Sequence, residues 1–264
     1  MESINRAFMY GESVFTTMLM KDGRIDDWEV HFERLKKGVE FVYGPFTDGE
    51  EWSRLLKNRL ETRCFTTNGN KVVRLTVYRE RARGLIKEGL ISVMDLKINV
   101  SMTDFESSRV DRSVKLRTCP GRPRPHWWPS YLKAGSYLET ILAQKMYLKE
   151  TDDDLLFLSP QDTVWESSVA NIFVVRHNKI YTAPAGPNVL EGIMRKKVME
   201  NFHPFFSDCI EAETTIDQLY RADGIFGSNS VRGLFLVDRI DDRDLTPSKE
   251  FLQSFAALKA ALYE

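Results

Sequence analysis

In the stretch SYLKAGSYLETILAQKMY, residues 130 to 147, Lys133 stands beside the small pair Ala134 and Gly135, just ahead of a helical pattern. A lysine at an entry turn of small residues leaves room for something bulky against its amine. Such an amine can attack an aldehyde or carry a proton. Two further segments offer anion binding. A helix opening in EGIMR turns the backbone N–H groups of Gly192, Ile193 and Met194 outward, at the end of a helix that carries partial positive charge. GSNS adds Ser228, Asn229 and Ser230 as hydroxyl and amide donors on a turn after a strand. Glu166 in VWESSVAN is a carboxylate within an apolar strand run, costly to bury unless paired. A protonated pyridine nitrogen is a suitable partner, and a water-facing strand rim is the alternative. Singly, each feature has a plain structural explanation, since glycine caps helices and Ser/Asn loops make turns. Together they suggest a phosphorylated cofactor whose aldehyde condenses with Lys133.

The elements that must position these residues follow from local pattern. SVFTTMLMKDGRI reads as two strands around an Asp22-Gly23 turn, followed by the helix DWEVHFERLKKGVEFV and a second helix over 49–63. KVVRLTVYR, LKINVSM and SVKLRT are rich in β-branched residues and read as strands, making the first half α+β. Residues 118–130, TCPGRPRPHWWPS, carry four prolines and predict an extended connection. That divides the chain into an N-terminal α/β domain over 1–117, a linker over 118–130 and a C-terminal α/β domain over 131–264. Past the linker, Leu138, Ile141, Leu142 and Met146 give an amphipathic helix. DLLFLS, NIFVV and KIYTA read as strands, the last two joined at His177-Asn178. A helix then begins after Gly192, and Ser248 caps a closing helix.

Composition narrows the chemistry. With 264 residues and 42% of them hydrophobic, the chain can bury a sizeable core. Thirty-seven basic against 38 acidic side chains leave a formal charge of -1, which points to neither nucleic acid nor an anionic membrane as partner. Arginines beside Trp127 and Trp128 are therefore read as linker and not as a base-stacking stripe. Cys64, Cys119 and Cys209 lie apart and are odd in number, which suggests a reducing compartment. With no leader pattern and no apolar run of membrane-spanning length, a soluble cytoplasmic protein is expected. His31, His126, His177 and His203 share no ligand spacing, so no metal site is expected. No nucleophile elbow, Walker loop or dinucleotide fingerprint occurs.

The succession FMYGESVFTT, HFERL, YLKAGSYLE, WESSVANIF, EGIMR and GSNSVRGLFLV resembles the class IV aminotransferases, the fold-type IV pyridoxal-phosphate enzymes, over roughly residues 5 to 240. The resemblance implies pyridoxal 5'-phosphate in the cleft between two α/β domains, a small-molecule amine substrate and a homodimer. Position by position, Lys133 resembles the lysine that bonds the cofactor aldehyde and Glu166 the carboxylate that keeps the pyridine nitrogen protonated. Arg34 of HFERL resembles the phosphate-binding arginine. Gly192, Ile193 and Met194 would meet the phosphate through the backbone, Asn229 and Ser230 through the following turn, and Asn171 would support the site. On the substrate side the resemblance brings in Tyr10 and Phe15. Arg79 and Arg83 of VYRERARG are candidates by position for substrate carboxylates.

Within the family, VFTT, GIMR, the Lys133 to Leu138 spacing and SNSVRGLFLV lean towards the lyases that convert 4-amino-4-deoxychorismate to 4-aminobenzoate, for folate, and pyruvate. Transaminases of the D-amino-acid or branched-chain type are the alternative, and a cofactor-binding protein without turnover is a third. Asn5-Arg6 stands where Asp-Arg is common in the family, and the chain begins almost at that motif. The first sheet is therefore expected to lack an edge strand, and the proline-tryptophan segment to be bulkier than usual.

Overall fold

The computed structural model describes residues 4–45, 49–64, 69–81, 96–121 and 123–262. The chain forms two compact units: one takes the residues up to Phe105 together with Tyr131–Tyr137, the other Glu106–Ser130 and the residues from Leu138 onward. This differs from the division read off the prolines, and backbone pairing explains both changes. The Lys133 segment joins the first unit because it hydrogen-bonds to a strand there. Residues 114–120 join the second because they form one of its interior strands.

In the first unit the order is β1 (Ile4–Asn5), α1 (Arg6–Tyr10), β2 (Ser13–Lys21), β3 (Arg24–Ile25), α2 (Trp28–Tyr43), α3 (Gly49–Cys64), β4 (Lys71–Arg81) and β5 (Leu96–Asp104). The sheet is antiparallel, ordered β1-β4-β2-β3, with β5 also on β4. The β2–β3 turn uses positive φ at Asp22 (47°) and Gly23 (76°), as a two-residue hairpin demands. Where no edge strand was expected, Ile4 and Asn5 pair with Arg81 and Glu80 at the end of β4. Alternation puts Val14, Thr16, Met18 and Met20 on one face of β2, opposite Val77, Leu75 and Val73 of β4. α2 lies close against that face: a Cβ on Gly38 would stand 2.9 Å from Val14 Cγ1. Phe32 of α2 in turn meets Trp52 of α3, ring centroids 5.5 Å apart.

The second unit holds β6 (Val114–Pro120), α4 (Leu138–Tyr147), β7 (Asp154–Leu158), β8 (Val164–Ser167), β9 (Asn171–Arg176), β10 (Lys179–Thr182), α5 (Ile193–Asn201), β11 (Asp208–Glu211), α6 (Ile216–Tyr220), β12 (Gly224–Asn229), β13 (Gly233–Ile240), β14 (Arg243–Asp244) and α7 (Lys249–Ala261). Its sheet runs β11-β10-β9-β12-β13-β6-β7-β8, and β8 also pairs with β9. Strands β9, β12, β13, β6, β7 and β8 thus close into a barrel, which removes their edges. Thr118, Cys119 and Pro120, expected in a connection, continue β6. Proline is tolerated there because it is the last residue of the strand.

β9 is buried on both faces. Ile172 and Val174 pack with Leu116, Leu156, Ile225 and Val237, while Phe173 and Val175 pack with Met194 and Val198 of α5, Phe226, and Phe251 and Phe255 of α7. The Ser248 hydroxyl caps α7 by accepting from the Phe251 N–H at 3.1 Å. α4 departs from expectation: Leu138, Ile141, Leu142 and Met146 are all exposed, and none of its residues is buried. Among the described residues no helix is long and apolar enough to cross a membrane, and no His, Cys, Asp and Glu cluster could hold a metal ion.

A buried ion cluster ties β6 to the chain around Asp152. The Asp152 carboxylate accepts from Arg117 Nε at 2.8 Å and Nη2 at 3.2 Å, from Arg239 Nη2 at 2.8 Å and from the Lys149 N–H at 3.0 Å. Burial alone would raise its pKa. The hydrogen bonds from Arg117 and Lys149 outweigh burial and hold it below the ordinary aspartate value. A depressed folded-state pKa contributes stability above the unfolded value, near ~4, that is lost as pH falls through the folded one. Asp152→Asn should cost about 3 kcal/mol at neutral pH and flatten the acid side of the stability profile. Urea unfolding at pH 7 and in acid checks this, and identical curves for the two proteins would refute it.

Candidate functional site

Lys133 is held by strand-like pairing to β2. The Phe15 N–H donates to the Lys133 carbonyl at 2.9 Å, the Gly135 N–H donates to the Ser13 carbonyl at 2.8 Å, and Ala134 bridges Val14. A Cβ on Gly135 would lie 2.0 Å from Ser13 Oγ, so the smallness noted beside the lysine is what permits this approach. The side chain of Lys133 runs over Phe15, with Nζ 5.0 Å from the ring centroid and 3.5 Å from the Tyr137 hydroxyl. Phe15 also meets the Tyr137 ring edge-on at 5.6 Å.

Arg74 was not singled out by sequence reasoning. Its guanidinium lies 3.5 Å from the Phe15 centroid, and Nε donates to Thr76 Oγ1 at 3.4 Å. Burial pulls its pKa below the usual arginine value, with Tyr137 acting in the opposite sense. Among the described residues no carboxylate pairs with it. The available signal was an arginine in the middle of KVVRLTVYR, flanked by the buried Val73 and Leu75. Such a cation stands ready for an anion that none of the described residues supplies.

The other substrate-side candidates are placed elsewhere. Arg79 is buried, with Nη2 3.5 Å from Glu12 Oε1 and its guanidinium 5.4 Å from the Tyr43 ring. Arg6 donates to the same carboxylate through Nε at 2.8 Å. Arg79 therefore belongs to a packed ion cluster. Tyr10 is exposed, under the Arg6 guanidinium at 4.8 Å. Arg83 lies outside the described residues. Arg34, on α2, donates through Nη2 to Thr16 Oγ1 at 3.2 Å, on the face of β2 opposite Phe15.

In the second unit, Glu166 and Asn171 are cross-strand partners where β8 meets β9. Asn171 Nδ2 donates to Glu166 Oε2 at 3.1 Å and to the Leu190 carbonyl at 2.8 Å. The Leu190 N–H donates to the same Oε2 at 2.8 Å. These bonds fix where the carboxylate points. The turn between the strands is built on Ser167, whose N–H donates to the Ala170 carbonyl and whose Oγ accepts from the Val169 and Ala170 N–H groups. Ser168 anchors that turn by donating to buried Asp154, whose pKa burial raises. The rim reading of Glu166 is therefore set aside: its carboxylate is half-buried and held by donors.

α5 begins at Ile193 with Gly192 as N-cap and no side chain capping it. Helix geometry leaves the first N–H groups, those of Ile193 and Met194 among them, without intrahelical partners. Arg195 is turned away, donating to the Ala183 carbonyl at 3.1 Å and pairing with Glu211. In GSNS, Ser228 and Asn229 are still in β12 and the turn starts at Ser230. Asn229 Oδ1 accepts from the N–H groups of Val231 (3.0 Å) and Arg232 (2.8 Å), so its side chain shapes that turn.

Ser228, cross-strand from Asn171 and two residues beyond Phe226, faces the α5 side of the sheet. Its hydroxyl is buried and has no partner among the described residues. A buried donor without an acceptor is costly, and it marks the place where a polar group fits. An aimed carboxylate, an uncapped helix start and this hydroxyl suit a phosphorylated, basic heteroaromatic ring.

A family model, amino-transferase class IV, matches residues 13–240. The chain is similar to an aminodeoxychorismate lyase of Vibrio harveyi, 25% identical over 239 residues that make up 89% of this chain and 86% of that protein. Its fold is similar to that of the 4-amino-4-deoxychorismate lyase from Pseudomonas aeruginosa, with a TM-score of 0.78 at 20% identity over 98% of this chain and 92% of that one. It is also similar to that of a branched-chain aminotransferase from Thermoproteus uzoniensis, with a TM-score of 0.82 at 20% identity over 98% and 88%.

Gly192 provides a direct check on the geometry around Glu166. A Cβ there would lie 2.1 Å from Asn171 Oδ1, so Gly192→Ala must displace the amide that joins Glu166 to Leu190. Loss of its two hydrogen bonds should lower stability by about 2 kcal/mol and weaken cofactor binding. Denaturant midpoints and a cofactor titration measure both, and wild-type values in both would contradict this geometry.

Proposed function

The chain belongs to the class IV amino-transferase family, and on that footing we propose that it is a pyridoxal-phosphate-dependent lyase converting 4-amino-4-deoxychorismate to 4-aminobenzoate and pyruvate. The observation that carries the lyase reading is the likeness to the Vibrio harveyi lyase along nearly the whole chain. Pyridoxal phosphate supplies an aldehyde that condenses with an amine, and a ring that takes up electron density when a neighbouring C–H bond breaks.

Lys133 is the general base that removes the substrate's C4 proton. Tyr137 and the Phe15 ring restrict where its amine points. Glu166 holds a proton on the ring nitrogen, and the Asn171 amide and Leu190 N–H keep its carboxylate aimed. Arg34, the N–H groups of Ile193 and Met194, and the Ser230 hydroxyl hold the phosphate. Arg74, in place of Arg79, takes a substrate carboxylate. It is a desolvated cation beside the ring over which Lys133 runs, where a charge-assisted hydrogen bond is strongest. With the C4 proton gone, the ring C–O bond breaks, the carbocycle becomes aromatic, and the enolpyruvate that leaves takes up a proton to become pyruvate.

The fold likeness to a branched-chain aminotransferase favours a second reading, an amino-acid transaminase using the same lysine and carboxylate. A cytoplasmic homodimer completes the proposal. The exposed apolar stripe of α4 supports the dimer, because four large apolar side chains on one short helix are poorly suited to water.

The test is an assay of the purified, cofactor-loaded protein with 4-amino-4-deoxychorismate, and separately with D-alanine and branched-chain amino acids, alongside sedimentation of the same sample. Equal release of pyruvate and 4-aminobenzoate from a particle of about two chains is expected, abolished in Lys133→Ala. Keto-acid formation from amino acids with neither lyase product would replace the lyase by the transaminase. Sedimentation as a single chain would remove the dimer.

A further inference from the structure

Thr16 is fully buried on β2, and its hydroxyl lies between two side chains one helical turn apart on α2, 2.6 Å from His31 Nδ1 and 3.2 Å from Arg34 Nη2. The close approach at Gly38 brings α2 near enough to β2 for one short side chain to reach both. Donor rules fix the direction of each bond. A guanidinium can only donate, so Thr16 accepts from Arg34. If His31 Nδ1 also donated, the Thr16 proton would point into a dry interior with no acceptor among the described residues. Burying an unmet donor costs more than a hydrogen bond returns. The Thr16 hydroxyl therefore donates to His31 Nδ1, which leaves the imidazole proton on Nε2. His31, itself 1% exposed, locks the hydroxyl rotor, and the locked rotor presents a lone pair to Arg34.

We infer that Thr16 and His31 are positioning residues for Arg34: their hydrogen-bonded link holds the guanidinium in the orientation in which it receives the cofactor's phosphate. The inference rests on the reading of Arg34 as a phosphate ligand. A neutral hydroxyl suits this task, because it steers the guanidinium without neutralising it, as a carboxylate at the same place would do. The first threonine of VFTT is thus given a role at the anion, away from the Lys133 amine.

The test compares binding of pyridoxal phosphate with binding of pyridoxal, which lacks the phosphate, by visible absorbance in the full chain. Thr16→Val should weaken pyridoxal phosphate about tenfold and leave pyridoxal unchanged, while Thr16→Ser, which keeps the hydroxyl, should restore the phosphate preference. Arg34→Gln is the benchmark and should weaken only the phosphorylated ligand. If Thr16→Val does not fold, His31→Ala reads the link from its other end, with the same phosphate-selective loss expected. Equal weakening of both ligands in the Thr16 or His31 variant would make the link mere packing and overturn the inference. An unchanged phosphate preference in those variants, beside a loss in Arg34→Gln, would overturn the link alone. An unchanged preference in Arg34→Gln would overturn the phosphate reading and the inference with it.

Discussion

The second unit depends on one short connection. Glu166 and Asn171 close the barrel as backbone partners, and the same two residues join their side chains to each other and to Leu190. A four-residue turn would place any two side chains opposite each other. Here the residues placed there are a carboxylate that accepts and an amide whose nitrogen donates twice. Because the closing pair is also the hydrogen-bonded pair, the carboxylate is fixed where the barrel closes. The Leu190 backbone, engaged on both its N–H and C=O, then delivers the chain to Gly192, where the uncapped helix begins.

In the first unit the governing constraint is close approach. The Lys133 strand adds to β2 only because Gly135 can come against Ser13, and α2 reaches Thr16 only because Gly38 can come against Val14. Both contacts act through β2, whose alternation sends Phe15 towards the lysine and Thr16 towards His31 and Arg34. One nine-residue strand thereby serves an amine on one side and a cation on the other. Thr16 and Arg79 are costly to bury, and hydrogen bonds compensate the first while an ion pair and a ring face compensate the second.

Much of this was legible in the sequence, where the signal was local. The Asp22-Gly23 and His177-Asn178 turns, the helix after Gly192 and the Ser248 cap each follow from residues within a few positions of one another. What was not legible depends on pairing between distant segments. No periodicity reveals that Thr118–Pro120 continues an interior strand, because a terminal proline in a strand looks the same as a linker proline. Arg74 and Arg79 lie five residues apart on one strand, and composition cannot say which of them meets Glu12. The structure gives Glu12 to Arg79 and leaves Arg74 beside Phe15. The α4 stripe was visible as an apolar period, yet a period shows which residues share a face and not what covers it.

Borohydride reduction of the cofactor-loaded protein followed by peptide mass mapping tests most directly whether Lys133 carries the cofactor. One stable pyridoxyl adduct per chain is expected, on the peptide containing Lys133. An adduct confined to another lysine, or none after full cofactor loading, would contradict it.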